Sequence, residues 1–421
     1  MIRKLTARAC LAALLLLLAP PLDAIAAGAP AREKIDPSLL ADGQPRGAQR
    51  EFLLLLREQA DRTELRELRR RTPRSGRGSA VVERLRDLAT RSQSGLLERL
   101  ETAGAEHRSY WAANMIWVRG DATLMEQLAL DPAVDRVLAN PRIRFSPPRD
   151  LPSSEAAAAG IEPNLELVGA PEVWELGIRG EGAVIAGADT GYEWQHPALL
   201  AQYRGWDGAS ADHSYSWHDA IHSAGGSCGA DSSVPCDDDG HGTHTMGIML
   251  GDDGGTNQIG MAPGARWIGC RNMDEGVGTP ATYTECFEWF MAPTDASGQN
   301  PDPAMAPHVV NNSWYCPDWE GCIDPAILET VVGNTRAAGI LVVVAGTNAG
   351  PGCGTIVDPP AIYDGSFTVA ATNNADAIAS FSSRGPVPGG GGEDTQAAFG
   401  GGEDTQAAFG GGEDTQAAFG G

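Results

Sequence analysis

Residues 183–188 read Ala-Val-Ile-Ala-Gly-Ala, and Asp189-Thr-Gly191 follows them directly. A short apolar run without polar alternation is typical of a strand that is buried on both faces of a sheet. Further apolar runs alternate with stretches of helical spacing, which predicts a parallel α/β sheet. The predicted strands are 183–188, 266–270, 309–314, 340–345 and 367–371, and the predicted helices between them are 241–250, 283–291 and 326–338.

Polar side chains follow two of these predicted strands. Asp189 comes after the first strand, and Asn348 follows strand 340–345. Active sites of parallel sheets gather at the carboxyl ends of strands, so we expect both side chains to project into one crevice. Asp-Thr-Gly would also suit an aspartic protease, but such a site needs two carboxylates that share a proton. The 421 residues contain no second motif of this kind.

His241 opens a predicted helix within Gly240-His-Gly-Thr-His244. A histidine held among glycines at a cleft can accept the proton of an attacking hydroxyl, while a buried aspartate fixes its tautomer. As an alternative, His241 and His244 could bind a metal, but the glutamate of the zinc-protease pattern is missing. We therefore interpret His244 as a packed helix residue. Asn348 could donate its amide N–H to a developing oxyanion, although an ordinary turn asparagine has the same sequence signature.

The sequence resembles the subtilisin-like serine proteases over residues 160–387, and the motifs that carry the resemblance are Asp189-Thr-Gly191, His241-Gly-Thr-His244, Asn311-Asn-Ser-Trp314, Gly346-Thr-Asn-Ala-Gly350 and Phe381-Ser-Ser-Arg-Gly-Pro386. The resemblance implies a subtilisin-like parallel sheet with helices on both faces, incomplete at its C-terminus. It also implies a serine endopeptidase in which Asp189 and His241 are triad members and Asn348 is the oxyanion donor. Ser313 and Trp314 would lie on the strand that pairs with extended substrate.

Three positions depart from the family pattern. Thr347 replaces the glycine before the oxyanion asparagine, and Tyr315 replaces the glycine that often follows Ser-Trp. The nucleophile motif Gly-Thr-Ser is absent from the 421 residues, and Ser380, Ser382 and Ser383 belong to the preceding motif. In its place a Gly-rich ten-residue unit occurs three times, starting at residues 391, 401 and 411. Such a unit cannot bury enough apolar surface to fold, so the sequence predicts no ordered element there.

The N-terminal part divides into an export signal and a small α+β module. Residues 1–26 combine a basic start, a short apolar run and a small-x-small cleavage pattern, which predicts a signal peptide and a secreted protein. Residues 27–150 form the predicted propeptide or inhibitor-like domain, and within it residues 50–146 loosely resemble the family's propeptide, a ferredoxin-like chaperone and inhibitor. Residues 151–388 form the predicted truncated peptidase domain, and residues 389–421 the low-complexity repeats. The module's predicted elements are strand 51–56, an Arg-rich helix from 59, helix 81–100, strand 110–118, helix 122–130 and strands within 134–145.

Charge is distributed unevenly along the chain. Residues 27–150 contain 22 Lys and Arg against 18 Asp and Glu, whereas residues 151–421 contain 6 against 36. Nucleic acid is therefore excluded as a partner of the acidic part. The basic part could dock electrostatically on the acidic part, or each could simply have a solvated surface of its own.

Seven cysteines remain after the predicted signal, as expected for an oxidising compartment. Cys228 with Cys236 and Cys316 with Cys322 are close enough to staple loops, and one of Cys270, Cys286 and Cys353 stays unpaired. A zinc site is not expected, because cysteine and histidine spacing of the usual kind is lacking. No cofactor is predicted, although the acidic runs 237–239 and 252–253 could bind calcium.

The leading hypothesis is an exported subtilisin-like endopeptidase precursor that is inactive in these 421 residues. Its partners would be protein or peptide substrates and its own propeptide, with no membrane association after signal cleavage. Two alternatives stay open: a non-catalytic pseudo-protease that binds extended peptides, and a protease inhibitor whose active part is the propeptide-like module.

Overall fold

The computed structural model describes residues 31–387 and 396–400, apart from 42–44, 46, 74–75, 145–159, 224–225, 256 and 374. The predicted signal peptide, the proline-rich linker and most of the repeats lie outside these residues. Residues 31–144 form what we call the N-terminal module. Its elements are β1 (Arg50–Leu56), α1 (Arg62–Arg71), α2 (Arg77–Ala103), β2 (Glu106–Tyr110), β3 (Met115–Gly120), α3 (Ala122–Ala129), β4 (Val134–Ala139) and β5 (Ile143–Arg144).

The N-terminal module is an antiparallel sheet of order β2-β3-β1-β4. Strand β1 alternates between its two faces, because Phe52 and Leu54 belong to the module's own core while Leu53 faces the rest of the chain. This order and the intervening helices give the predicted α+β arrangement. The predicted strand 110–118 is two strands: Asn114, at φ 42°, closes a turn and its side-chain amide donates to the carbonyl oxygen of Glu58 at 2.5 Å.

Residues 160–387 and 396–400 form the C-terminal module. Its elements are α4 (Pro163–Leu167), α5 (Ala170–Glu175), β6 (Val184–Asp189), β7 (Trp217–Asp219), α6 (His241–Leu250), β8 (Arg266–Arg271), β9 (Met273–Asp274), β10 (Val277–Gly278), α7 (Pro280–Met291), β11 (Val309–Asn312), α8 (Glu329–Ala338), β12 (Leu341–Ala345), β13 (Phe367–Thr372) and β14 (Gln396–Gly400). In the described ranges, no helix is long and apolar enough to cross a membrane.

A seven-stranded sheet of order β14-β13-β12-β11-β6-β8-β7 forms the centre of the C-terminal module, and every strand pair in it is parallel. Strand β6 is buried on both faces. Ile185 packs in one cluster with Met246 and Leu250 of α6, whereas Ala186 and Ala188 pack in the cluster that contains α7 and α8. The predicted parallel sheet with helices on both faces is therefore confirmed.

The structure differs from the sequence prediction in the first repeat. Gln396–Gly400, predicted to form no ordered element, is strand β14 and pairs in parallel with Thr368–Thr372. The unpaired N–H and C=O groups along an exposed strand edge attract any uncharged extended segment, and Gln-Ala-Ala-Phe-Gly is one. Composition indicates how much apolar surface a segment can bury, but it does not reveal an open strand edge with which the segment can pair.

The two modules share one apolar core. Leu65, Val82 and Leu85 of α1 and α2 lie in the same buried cluster as Phe287 of α7 and Val332 of α8. Helices α1 and α2 both pack on α8, and β2 lies against α7.

Charge contributes less to this contact. In the described part of the chain, Arg62–Glu329 and Arg136–Asp324 are the ion pairs that join the modules. The first is 49% and 41% exposed at its side chains, and exposed pairs contribute about 0–1 kcal/mol. Burial of apolar side chains, more than the opposite net charges, therefore holds the modules together.

Three disulfides close within the C-terminal module: Cys228–Cys236, Cys270–Cys286 and Cys316–Cys322. The second ties β8 to α7, so it links the sheet to a helix that contacts the N-terminal module. Cys353 is an exposed free thiol. These pairs agree with the two short loops and the single unpaired cysteine expected from the sequence.

Leu128 tests the core of the N-terminal module, since it is fully buried. We expect Leu128→Ala to lower the free energy of unfolding of this module by about 2–5 kcal/mol, because it removes buried methyl groups and leaves a cavity. The measurement is chemical denaturation followed by circular dichroism. Leu130, two residues further along the chain and 54% exposed, is the matched control, and Leu130→Ala should stay within about 0.5 kcal/mol of the unchanged chain. Equal losses in both variants would contradict the assigned packing.

Candidate active site

Asp189 and His241 are in direct contact. Asp189 is the last residue of β6 and His241 the first residue of α6, and Nδ1 of His241 lies 2.6 Å from Oδ1 of Asp189. The carboxylate is fully buried and also accepts the backbone N–H of Thr190 at 2.8 Å and the hydroxyl of Thr245 at 3.3 Å. An acceptor on Nδ1 orients the imidazole ring and makes Nε2 the atom through which it exchanges a proton with a nucleophile.

Asp237 fixes the start of α6. Its Oδ1 accepts the hydroxyl of Thr190 and the N–H of Gly240, both at 2.8 Å. Its Oδ2 accepts the N–H and hydroxyl of Thr243 at 2.9 and 2.5 Å. One carboxylate therefore joins the end of β6 to the first turn of the helix that carries His241. From the sequence, Asp237 was expected only as a possible calcium ligand, although an acidic residue just ahead of a helix is a capping signal.

Close backbone approach brings β6 and α6 together. A Cβ atom at Gly191 would overlap the carbonyl oxygen of Cys236, and one at Gly242 would overlap the carbonyl oxygen of Gly191. Gly191 also has φ 117°, which side chains rarely adopt. The glycines beside Asp189 and His241 are thus required by the spacing of the pair.

Two opposing effects set the pKa of His241. Burial, the largest single effect, disfavours the imidazolium and lowers the pKa, whereas the negative charge of Asp189 and its hydrogen bond favour the imidazolium and raise it. The carboxylates of Asp239 and Asp237 add to this attraction. The net result is a pKa above the ordinary 6.5. The ring is therefore prepared to accept a proton.

Ser313 and Trp314 follow β11, the neighbour of β6 in the sheet. The Trp314 side chain is 1% exposed, donates its indole N–H to the carbonyl oxygen of Ala188 at 3.0 Å and stacks on Tyr283. This side chain therefore supports the strand that ends at Asp189. Because its side chain is buried, Trp314 could contact a peptide only through its backbone. Backbone contact is also what the predicted pairing with an extended substrate requires.

Asn348 follows β12, at the same carboxyl edge of the sheet as Asp189. The residue before it, Thr347, has φ 75°, an unusual conformation for a β-branched residue. Ser383 holds this conformation: its hydroxyl lies 2.8 Å from that of Thr347 and accepts the N–H of Ala349 at 2.9 Å. Ser383 thus fixes the residues on both sides of Asn348, a positioning role that the sequence motif did not reveal.

The chain presents one of its own segments to the edge of this site. Strand β5 pairs antiparallel with β10 through Arg144 with Val277 and Ile143 with Gly278. The N–H of Arg144 also donates to Oε2 of Glu320 at 3.1 Å. Strand β10 is therefore an edge that accepts an extended peptide by main-chain hydrogen bonds, and neither β10 nor Glu320 was among the predicted site residues.

The acidic runs proposed for calcium are engaged within the chain. Asp238 pairs with the buried guanidinium of Arg271, and Asp252 and Asp253 accept backbone N–H groups of Gly254 and Gly255. Among the described residues, no group of three or more His, Cys, Asp or Glu could hold a metal ion. Calcium binding by these runs therefore stays a prediction.

The sequence of this chain is similar to those of known proteins. A family model described as the subtilase family matches residues 180–415. Bacillopeptidase F of Bacillus subtilis (strain 168) is 37% identical over 332 residues, covering 74% of this chain and 22% of the relative. The minor extracellular protease Epr of the same organism is 29% identical over 224 residues, which is 53% of this chain and 28% of that protein. The chain thus spans about a quarter of each relative's length.

Similarity to a solved structure supports the fold. The crystal structure of the epidermin leader peptide processing serine protease from Staphylococcus aureus superimposes with a TM-score of 0.56 at 13% identity. The superposition covers 84% of this chain and 76% of that chain. It therefore includes part of the N-terminal module as well as the parallel sheet.

The pair of Asp189 and His241 predicts a shift in titration. In Asp189→Asn, burial should act on His241 without the compensating charge, so its pKa should fall. Imidazole NMR shifts followed against pH measure the change. Asp239→Asn removes a weaker contributor and should lower the pKa less. The raised pKa also means that the pair stabilises the fold below about pH 6.5, and that this contribution is lost as pH rises through the folded-state pKa. An unchanged His241 titration in Asp189→Asn would show that the contact does not exist in solution.

Ser383 predicts a local loss of stability. Ser383→Ala should lower the unfolding free energy by about 1–3 kcal/mol, because two groups beside Asn348 lose their buried partner. Chemical denaturation is the measurement. Ser380→Ala, at an exposed position of the same segment, should change stability by less than about 0.5 kcal/mol. Two equally silent variants would refute the positioning role.

Proposed function

Because this chain belongs to the subtilase family, we propose that it is the exported precursor of a subtilisin-like serine endopeptidase. The observation that carries the proposal is the 2.6 Å contact between Asp189 and His241 at the carboxyl edge of a parallel sheet. In a peptidase of this kind His241 removes the proton from a serine hydroxyl through Nε2, and Asp189 stabilises the resulting imidazolium.

Asn348 would supply the second chemical component. A tetrahedral intermediate places negative charge on the former carbonyl oxygen, and a fixed amide N–H stabilises it by roughly 3–4 kcal/mol. The rigid attachment of Thr347 and Ala349 to Ser383 supports this role, because an oxyanion donor acts well only when it does not need to reorganise.

Extended peptides are the proposed substrates. They would add a strand to β10, as β5 does in this structure, and would pass the segment that contains Ser313 and Trp314. The N-terminal module would then act as a propeptide. Two observations support this role: the module packs on α7 and α8, and its last strand pairs with β10, so it would compete with an extended substrate for that edge.

Two features support export. Residues 1–26 have the pattern of a signal peptide, and three disulfides close within the C-terminal module. One similar protein is also named an extracellular protease. We therefore propose that the chain is exported from the cytoplasm.

Residues 1–421 alone would not turn over peptides. They contain no Gly-Thr-Ser motif, and Ser382 and Ser383 are 1% exposed and engaged in hydrogen bonds within the fold. A triad without its nucleophile retains only weak residual catalysis. The second candidate function, peptide binding without hydrolysis, is favoured by one observation: the β10 edge is complete and occupied although no nucleophile is present.

Labelling with a fluorophosphonate separates these functions. Residues 1–421 should take up no more label than their His241→Ala variant, since no activated serine is present. Stoichiometric labelling that His241→Ala abolishes would contradict the proposed inactivity.

The coding DNA beyond codon 386 supplies the second arm of this test. A downstream frame that encodes Gly-Thr-Ser-Met should yield a protein that labels and hydrolyses casein, with activity reduced about 10⁴-fold or more by His241→Ala. Binding of extended peptides by a protein that never labels would instead establish the second candidate function.

A further inference from the structure

Asp358 is a buried residue, and one of its two carboxylate oxygens, Oδ2, lacks a hydrogen-bond partner among the described residues. It lies on the connection from β12 to β13, the same connection that carries Asn348, and is 3% exposed. Burial of an ionised group is costly unless a cation or several donors compensate it, so an unmatched carboxylate at this depth needs an explanation.

The surroundings place Asp358 beside the proposed substrate path. The next residue, Pro359, accepts the N–H of Cys316 at 2.8 Å, which ties this connection to the segment that begins at Ser313 and Trp314. On the other side, the N–H groups of Gly354 and Thr355 are held by the segment around Ser383 that also fixes Asn348. The segment that contains Asp358 is thus tied to both stretches that would flank a bound peptide.

No cation of the described chain reaches this carboxylate. None of the ion pairs among the described residues includes Asp358, and the charge that acts on it is Asp318, which has the same sign. Burial, followed by repulsion from Asp318, raises the pKa of Asp358 to about 6. The sequence after Arg384 contains no Lys or Arg, so the repeats cannot supply the missing charge.

We propose that Asp358 determines specificity by receiving the Lys or Arg side chain of a bound peptide. The inference rests on the proposed function, because it assumes that peptides bind along the segment at Ser313. A guanidinium or ammonium group would form charge-assisted hydrogen bonds with the carboxylate oxygen that has no other partner. A neutral side chain would leave it buried and unpaired, which is the stronger source of discrimination. The preceding residue, Val357, is 45% exposed, so the carboxyl lies just beneath the surface.

The cationic fluorophore p-aminobenzamidine tests this site without requiring hydrolysis or extended pairing on β10. Titration of the full chain at pH 8 should give saturable binding, and Asp358→Asn should weaken it roughly 10-fold or more. The neutral analogue p-aminobenzamide should bind poorly to both proteins. Asp376→Asn, which removes an exposed carboxylate from the loop that follows β13, should leave probe affinity unchanged.

The pH dependence provides a second readout. Probe affinity should fall as pH drops through about 6, because protonation removes the charge of Asp358, and this fall should vanish in Asp358→Asn. The linker 145–159 contains one basic residue, Arg149, so the titrations are repeated on Arg149→Gln to remove an internal competitor. Binding that appears only in Arg149→Gln and is lost on adding Asp358→Asn supports the proposal.

Two outcomes would overturn it: equal probe affinity with and without Asp358→Asn, or no saturable binding in the unchanged chain and in Arg149→Gln. The outcome is separable from that of the proposed function. If the probe binds in an Asp358-dependent way to a protein that never takes up fluorophosphonate, the cation site is supported and the proposed protease function is contradicted. If peptides are hydrolysed without a preference for Lys or Arg, the protease function is supported and the role of Asp358 in specificity is contradicted.

Discussion

The contact between β6 and α6 is the constraint on which the rest of the site depends. A buried carboxylate at the end of a strand needs donors, and the first turn of a helix needs acceptors for its N–H groups. Asp189 and Asp237 satisfy both needs, and the glycines at 191 and 242 let the two backbones approach closely enough. The relative position of His241 is therefore set by backbone geometry and polar satisfaction together.

Sequence patterns revealed the strands and the reactive pair because both depend on local features. Val184–Ala188 is apolar over its whole length, and His241 lies among glycines at a helix start, so the hydrophobic pattern and the glycine motif were sufficient to predict both. The helix 241–250 matches its predicted bounds. Cys228–Cys236 and Cys316–Cys322 agree with the sequence for the same reason, since each pair is separated by only a few residues, whereas the sequence left the pairing of Cys270 with Cys286 open.

What the sequence did not reveal depends on contacts between distant segments. Ser383 acts on Thr347 and Ala349 across the sheet, and β10 becomes a peptide-binding edge only when β5 meets it. Asp358 is a similar case, because its burial and lack of a partner exist only in three dimensions. Strand β14 formed against composition for a related reason: pairing of backbone groups along an edge does not require a side chain that buries much surface.

The single apolar core shared by the two modules has a consequence for how they could separate. Leu65 and Leu85 are buried among side chains of α7 and α8, and Asn334 donates to the carbonyl oxygen of Ala112 at 2.7 Å. None of these contacts runs through the linker 145–159. A single cut in that linker would therefore yield a two-chain complex whose lifetime is set by the rate at which this core opens. Release of the N-terminal module would depend on its own unfolding or its further digestion. The stability of that module would therefore set how long the complex persists after the cut.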